Sequence, residues 1–333
     1  MSGAAHRFLP DGRLHLQHGP IDMILRAEGP GADAAHRAAV VRFDTLLAEL
    51  VAELPLLRQP VAAGACPLKG AVAQRMAAAA RAHLPDFVTP MAAVAGAGAE
   101  TVLQAMAVVP DVVRAFVNNG GDIALFFAGD RAMQAPPAGG GKRAFERALK
   151  GPSKALFPGP AGEPEPYRLG VVVNPAFPAS PGVLEITPHG PWRGVATSGV
   201  KGRSHSLGVA DSVTVIARDA PAADVAATLI ANATDLPGDP AIIREPADTL
   251  APDSDLGARL VTTCVPPLDR ARIAAALDRG AAAAEGMLAR GLIGGALIAL
   301  QGTARLVGDM PLAPPADPAQ NSPFRKKASL LHA

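Results

Sequence analysis

At 333 residues the chain is long enough for one large domain or two ordinary ones, and 49% apolar against 18% charged residues is the composition of a folded globule, not of a disordered chain. Lys plus Arg total 31 and Asp plus Glu 30, a formal net charge of +1, so no single-sign field is available to hold nucleic acid or a membrane surface. Aromatics make up only 4%, which leaves the core to Ala, Val, Leu and Ile, while 34 Gly and 33 Pro predict many turns and loops.

Two cysteines, Cys66 and Cys264, make no disulfide framework and no CxxC pair, a usage that fits a reducing compartment. No apolar h-region follows the first residues, and the apolar stretch from Leu288 to Leu300 is short and broken by Arg290 and glycines. The expectation is a cytoplasmic protein with neither a nucleic-acid nor a membrane partner; its oligomeric state is left open, a homo-oligomer included.

In chain order, a helical pattern begins at Asp33 and runs through Leu46, Leu50 and Leu54, with Pro55 marking its end. A second, Ala-rich helix spans about Ala71 to Leu84. A third lies around Met91 to Val108, its first half built of small residues that include Gly96 and Gly98. Glycine in a helix costs up to ~1 kcal/mol against alanine, so two of them predict close approach by another backbone or a ligand. The period then changes. Arg114 to Val117 and Ile123 to Phe127 read as strands joined by Asn118-Asn119-Gly120-Gly121-Asp122. Residues 135–166 are Pro- and Gly-rich and read as a long excursion. Strands resume at Leu169 to Val173, Val183 to Ile186, Val195 to Thr197 and Asp211 to Ala217. Helices follow from about Ala222 to Ala233 and from Asp269 to Arg290, and Ala296 to Leu300 with Ala304 to Val307 close as a strand pair. Hairpin-like runs of strands predict an α/β (α+β) fold, largely antiparallel sheet with helices packed on it. The expected organisation is a body over residues 1–310, one domain or two tightly joined lobes, followed by a polar tail at 311–333.

Three segments carry chemistry. The turn Asn118-Asn119-Gly120-Gly121-Asp122 offers positive φ and unshielded N–H groups that make an anion-binding concavity, beside an amide and a carboxylate; an ordinary hairpin turn uses the same residues. Thr197-Ser198-Gly199-Val200-Lys201-Gly202-Arg203-Ser204-His205 packs hydroxyls, cations and a histidine into nine residues, a density suited to phosphate and equally found in exposed polar loops. Asp224 and Thr228 lie four apart on one helical face, where a carboxylate and a hydroxyl can share a hard cation such as Mg²⁺, or where the aspartate merely favours the first helical turn. The run Gly139-Gly140-Gly141-Lys142 lacks the spacing of a phosphate loop and reads as flexible.

Taken in order, these segments resemble the ApbE-like superfamily of FAD:protein FMN transferases, which use Mg²⁺ to move FMN from FAD onto a threonine or serine. Asn118, Gly120, Gly121, Asp122 and Ile123 match its NxGGDI-type element, Thr197, Ser198 and Gly199 its late Thr-Ser-Gly, and Ser212 to Val215 with Asp224 and Thr228 its SVTV strand and following helix. The block Thr89-Pro90-Met91-Ala92-Ala93-Val94-Ala95-Gly96 and the double Asn of Asn118-Asn119 look like an uncharacterised branch of that superfamily. The resemblance implies a T-fold-related architecture and a cleft for FAD, FMN or another nucleotide-like, phosphate-bearing small molecule, lined by Gly96, Gly98, Asn118, Asn119, Gly120, Gly121, Asp122, Thr197, Ser198, Gly199 and Arg203. It implies Mg²⁺ on Asp224, Thr228 and the Gly98 carbonyl, with Lys201 and His205 as catalytic candidates. The chain lacks the transferases' Lys-Gly-Tyr-type stretch, reading Gly98-Ala99-Glu100-Thr101-Val102-Leu103-Gln104 instead, and their His-Ile-Ile-Asp-Pro segment, of which His205 alone is kept. Two functions are therefore expected side by side: a Mg²⁺-dependent flavin or nucleotidyl transferase-like enzyme, and a non-catalytic binding or accessory protein of a flavin or pterin-type C1-cofactor pathway.

Overall fold

The computed structural model describes residues 3–64, 66–133, 164–171, 182–202 and 204–313. The chain opens with three strands for which the sequence reading had no expectation: β1 (Ala5–Phe8), β2 (Leu14–His18) and β3 (Ile21–Glu28). Their cause is local. Leu14 and Leu16 alternate with polar neighbours, Met23, Leu25 and Ala27 alternate with the less buried Asp22, Ile24, Arg26 and Glu28, and each set lies buried on one face. Gly12 and Gly19 supply the left-handed φ of 81° and 56° that the two connecting turns require.

Helix α1 (Ala32–Ala52) ends two residues earlier than the pattern suggested, and Pro55 does not stop a helix but opens one: it sits in the first turn of the short α2 (Leu54–Leu57), where its missing N–H has no helical partner to lose. After α3 (Ala71–Arg81) a 3-10 turn at Pro90–Ala93 leads into α4 (Val94–Ala107). Eleven of the 14 residues of α4 are buried, so it is a central helix enclosed on all sides, and its small residues permit that enclosure.

Strands β4 (Arg114–Asn119) and β5 (Asp122–Phe127) form the expected hairpin, and β6 (Tyr167–Gly170) starts before the predicted Leu169. β7 (Val183–Ile186), β8 (Gly194–Ser198) and β9 (Ser212–Ala217) follow, then α5 (Ala220–Ala233), β10 (Ile243–Pro246), α6 (Ala247–Leu250), β11 (Leu260–Cys264), α7 (Arg270–Ala289), β12 (Gly295–Leu300) and β13 (Thr303–Gly308). A short β14 (Leu312–Ala313) pairs with β7 beyond the residue at which a polar tail was expected. The Gly139–Lys142 run, most of the 135–166 excursion and the 314–333 segment lie outside the described residues.

The main sheet has nine strands in the order β1-β2-β3-β4-β5-β8-β9-β12-β13, every neighbouring pair antiparallel. All the long helices pack on one face. Beneath α1, α3 and α4 lies a core drawn from residues 14–126, which also receives Ala220 and Val225 of α5. Beneath α5 and α7 lies a second core, drawn from residues 196–307. The other face of the sheet, with Leu125, Phe127, Val195 and Ile216, is covered by the three-stranded sheet β14-β7-β6. The architecture is α+β and largely antiparallel, and among the described residues no helix is long and apolar enough to cross a membrane.

Helix α7 begins as the sequence demands, with the Asp269 carboxylate accepting the N–H of Arg272 at 2.9 Å. Asp269→Ala should lower stability by about 1 kcal/mol, the usual cost of a lost N-cap, read as a reduced urea midpoint at unchanged slope.

Candidate functional site

The antiparallel order brings several loops to one end of the main sheet. The β4–β5 turn, the end of β8, the start of β9 and the β12–β13 turn are neighbours there, because each strand reverses the direction of the last. At the β4–β5 turn Gly120 and Gly121 take φ of 70° and 116°, the left-handed values that a two-residue hairpin connection needs. The Asn118 side-chain oxygen accepts the N–H of Gly121 at 2.8 Å and fixes the turn.

Alternation along the strands decides which side chains face the helices. Asn119 and Asp122, directly opposed across the hairpin, share the face of Val117 and Ala124, under α4. The Asn119 amide donates to the carbonyl of Ala95 at 3.1 Å. Asp224 comes from the second turn of α5, and its Oδ2 accepts the N–H of Gly96 at 2.9 Å. Gly96 is required where it stands: a Cβ there would meet the Ala220 carbonyl oxygen at 2.4 Å, so the start of α4 touches the start of α5 backbone to backbone. A Cβ on Gly98 would meet only side-chain ends, Met23 Cε at 3.2 Å and Asn119 Nδ2 at 3.5 Å.

Asp224 keeps some exposure but is crowded by protein. Burial first, and the Asp122 carboxylate second, push its carboxyl well above the usual carboxylate range, against the opposing pull of the backbone N–H groups of Gly96 and Ala95. Two carboxylates are thus held in each other's field. Such a pair is relieved by a proton or by a cation. Thr228, one turn further along α5, is half-buried on the same helical face.

The remaining candidates are placed as follows. Ser198 lies on the helix-facing side of β8, with Ala196. Thr197 points to the opposite face, with Val195, and its Oγ1 lies 2.9 Å from that of Thr214 on β9, so it is not brought to Asp224. Gly199 sits against the backbone of Asp211, which a Cβ would meet at 2.5 Å. Lys201 is half-exposed and forms an ion pair with buried Asp211 at 3.0 Å, while Asp211 also accepts the N–H of Gln301 at 2.7 Å, which turns the lysine toward the β12–β13 turn. His205 is exposed. Arg203 lies outside the described residues.

One functional-type group escaped the sequence reading. Glu100 is buried in α4, one turn after Gly96, and burial first, then Asp219, pushes its carboxyl up to about 7 against the pull of Arg75 and hydrogen bonds from the Ala220 N–H and the Gln104 side chain. Its Oε2 has no hydrogen-bond partner among the described residues. Arg75 itself donates to Thr101 at 3.0 Å and Gln104 at 2.6 Å. The signal was present: Glu100 is the one ionisable side chain in α4.

Among the described residues no group of three His, Cys, Asp or Glu gathers into a metal cluster. Asp122 and Asp224 lie in each other's field, and Thr228 stands one turn along α5 from Asp224.

A family model described as AbpE bacteria matches residues 6–151 and 162–306, which takes in the N-terminal strands, the Gly96 segment, the Asn118–Asp122 turn and Asp224. The chain is also similar to a UPF0280 protein of Methanothrix thermoacetophila, 30% identical over 247 residues that cover 71% of this chain and 86% of that protein. The chain therefore belongs to this ApbE-related family, represented by the AbpE bacteria model.

Proposed function

We propose that the cleft at the meeting of α4, α5 and the β4–β5 turn binds a phosphate-bearing small molecule of the flavin, pterin or nucleotide class, together with Mg²⁺. The observation that carries this reading is the pair Asp122 and Asp224: two carboxylates held in each other's field are a poor structural element and a good partner for a divalent cation. Mg²⁺ would rest on Asp224 and Asp122 with the Thr228 hydroxyl, and would supply charge neutralisation at a phosphate. Asn119 and the Gly96 N–H hold the carboxylate and the carbonyl of Ala95 in place, and the open Gly120-Gly121 turn leaves room for a ligand, since a Cβ on Gly121 would meet nothing within 4 Å. The ApbE-like resemblance supports the same ligand class, and a transferase step on FAD follows from it as the enzymatic form of the proposal.

A second reading, a binding or accessory protein without transfer chemistry, is favoured by one observation: Lys201 is occupied by Asp211, and His205 stands exposed on the same loop. The test for both is calorimetric titration with FAD, FMN and ATP, each with and without Mg²⁺. Wild-type protein should bind Mg²⁺ weakly alone and more tightly with ligand. Asp224→Asn, which keeps an acceptor for the Gly96 N–H, should lose the Mg²⁺ dependence and at least tenfold of ligand affinity while remaining folded. Equal binding by wild type and variant would remove the metal assignment. FAD turnover by wild type, followed as release of AMP, separates the enzyme from the binding protein.

A further inference from the structure

A recess of about 470 Å³ lies away from Asp224, none of whose neighbours described above line it. It is bounded by the end of α2 and the residues after it, by Phe87, and by the loop of residues 252–259. Its walls are stiff: Pro55, Pro60 and Pro252 line it, and proline has little backbone freedom to lose when a ligand binds. Two guanidinium groups line the same recess. Arg259 lies flat on the Phe87 ring, 3.3 Å from its centroid, which fixes the plane of its donors. Its guanidinium donates to the carbonyl of Leu256 over a long 3.4 Å, a light use of a group with five N–H donors. Arg58 faces Asp253 at 3.8 Å, and that carboxylate is 86% exposed, a loose and screened pair that a better acceptor displaces. The second carboxylate of the recess, Asp255, is committed elsewhere: it accepts the Thr89 hydroxyl.

We propose that this recess is a second ligand site, for a small molecule carrying a phosphate or carboxylate on an apolar or aromatic body, with Arg58 and Arg259 as its anion clamp. A guanidinium fork takes two oxygens of either anion, two such groups line the recess, and the Phe87–Arg259 stack with the prolines supplies an apolar wall for the rest of the ligand. The site is separate from Asp224 and does not rest on the function proposed for that cleft. Asp255 of its lining accepts the hydroxyl of Thr89, which directly precedes the turn that enters α4, so occupancy bears on the segment that carries Gly96.

Titration calorimetry with inorganic phosphate, phenyl phosphate, benzoate and neutral benzyl alcohol, all without Mg²⁺, tests the proposal. Phenyl phosphate and benzoate should bind saturably, inorganic phosphate more weakly, and benzyl alcohol not at all. Arg58→Gln and Arg259→Lys should each weaken phenyl phosphate at least tenfold, the second because an ammonium keeps the charge but not the fork, whereas Asp224→Asn should leave it within twofold. Thermal melting verifies that each variant is folded, and if Arg259→Lys is not, Arg58→Gln decides alone. Binding that is insensitive to the arginine variants, binding lost on Asp224→Asn, or no saturable binding to wild type overturns the site.

Discussion

Gly96→Ala should cost about 3 kcal/mol of stability. The added methyl would lie 2.4 Å from the Ala220 oxygen, 2.7 Å from its carbonyl carbon and 2.9 Å from the Pro221 nitrogen, all of them backbone atoms that no rotamer change can move. The two helices must part by roughly an ångström or more, an overpacking cost at the upper end of about 1–3 kcal/mol, and the parting also stretches the 2.9 Å bond from the Gly96 N–H to Asp224. The better helix propensity of alanine returns at most ~1 kcal/mol. Gly98→Ala is the control, since its methyl would press on the flexible end of Met23 at 3.2 Å, and it should stay within about 1 kcal/mol of wild type. Urea unfolding of both variants measures the difference. Equal stabilities would mean that α4 and α5 do not touch at Gly96.

Glu100→Gln should stabilise the protein at pH 8 by about 3 kcal/mol and leave it little changed near pH 5. The Glu100 carboxyl is raised from 4.5 to about 7 in the folded protein, so folding favours its protonated form. The stability that this preference lends is complete below about 4.5 and is lost as the pH climbs through about 7, at 1.36 kcal/mol for each pH step between the two values. Wild type should therefore lose about 3 kcal/mol from this group between pH 5 and pH 8, whereas the glutamine variant, neutral throughout, should not. Arg75 and Asp219, which face Glu100 from α3 and from the start of α5, are unchanged in both proteins. Urea midpoints across that range provide the reading, and parallel pH profiles would show that folding leaves the Glu100 carboxyl in its ordinary range.

Periodicity served well where one face of an element is buried. Helix α7, the β4–β5 hairpin and the β12–β13 pair lie within one or two residues of their expected bounds, because their patterns are long and bordered by glycine or a capping aspartate. The first three strands were hidden by their shortness: the alternations Leu14-His15-Leu16 and Met23 to Ala27 span only a few residues each and gain weight only when their pairing is known. Of the candidate site, the conjunction of Gly96, Asn119, Asp122 and Asp224 was foreshadowed by motif order alone. The position of Thr197 was not, for a one-residue step along β8 carries a side chain to the other face of the sheet, and loop density gives no register. The carboxylate pairing of Asp122 with Asp224, 102 positions apart in the numbering, had no local signal at all.

The main sheet is shared by two helix-side cores, one assembled from residues 14–126 and the other from residues 196–307, and Ala220 and Val225 of α5 are the members of the first core that come from the later part of the chain. Asp224 stands between those two residues. The groups gathered around it are thus contributed from both sides of a seam, with Asn119 and Gly96 from the earlier half and Asp224 from the later. Any cation or ligand that grips both sides must tie the opening of one half to the opening of the other. Amide hydrogens of α4 and α5 would then exchange with solvent in concert and more slowly when the cleft is filled, while those of β1 and β13 at the outer edges would not feel the difference.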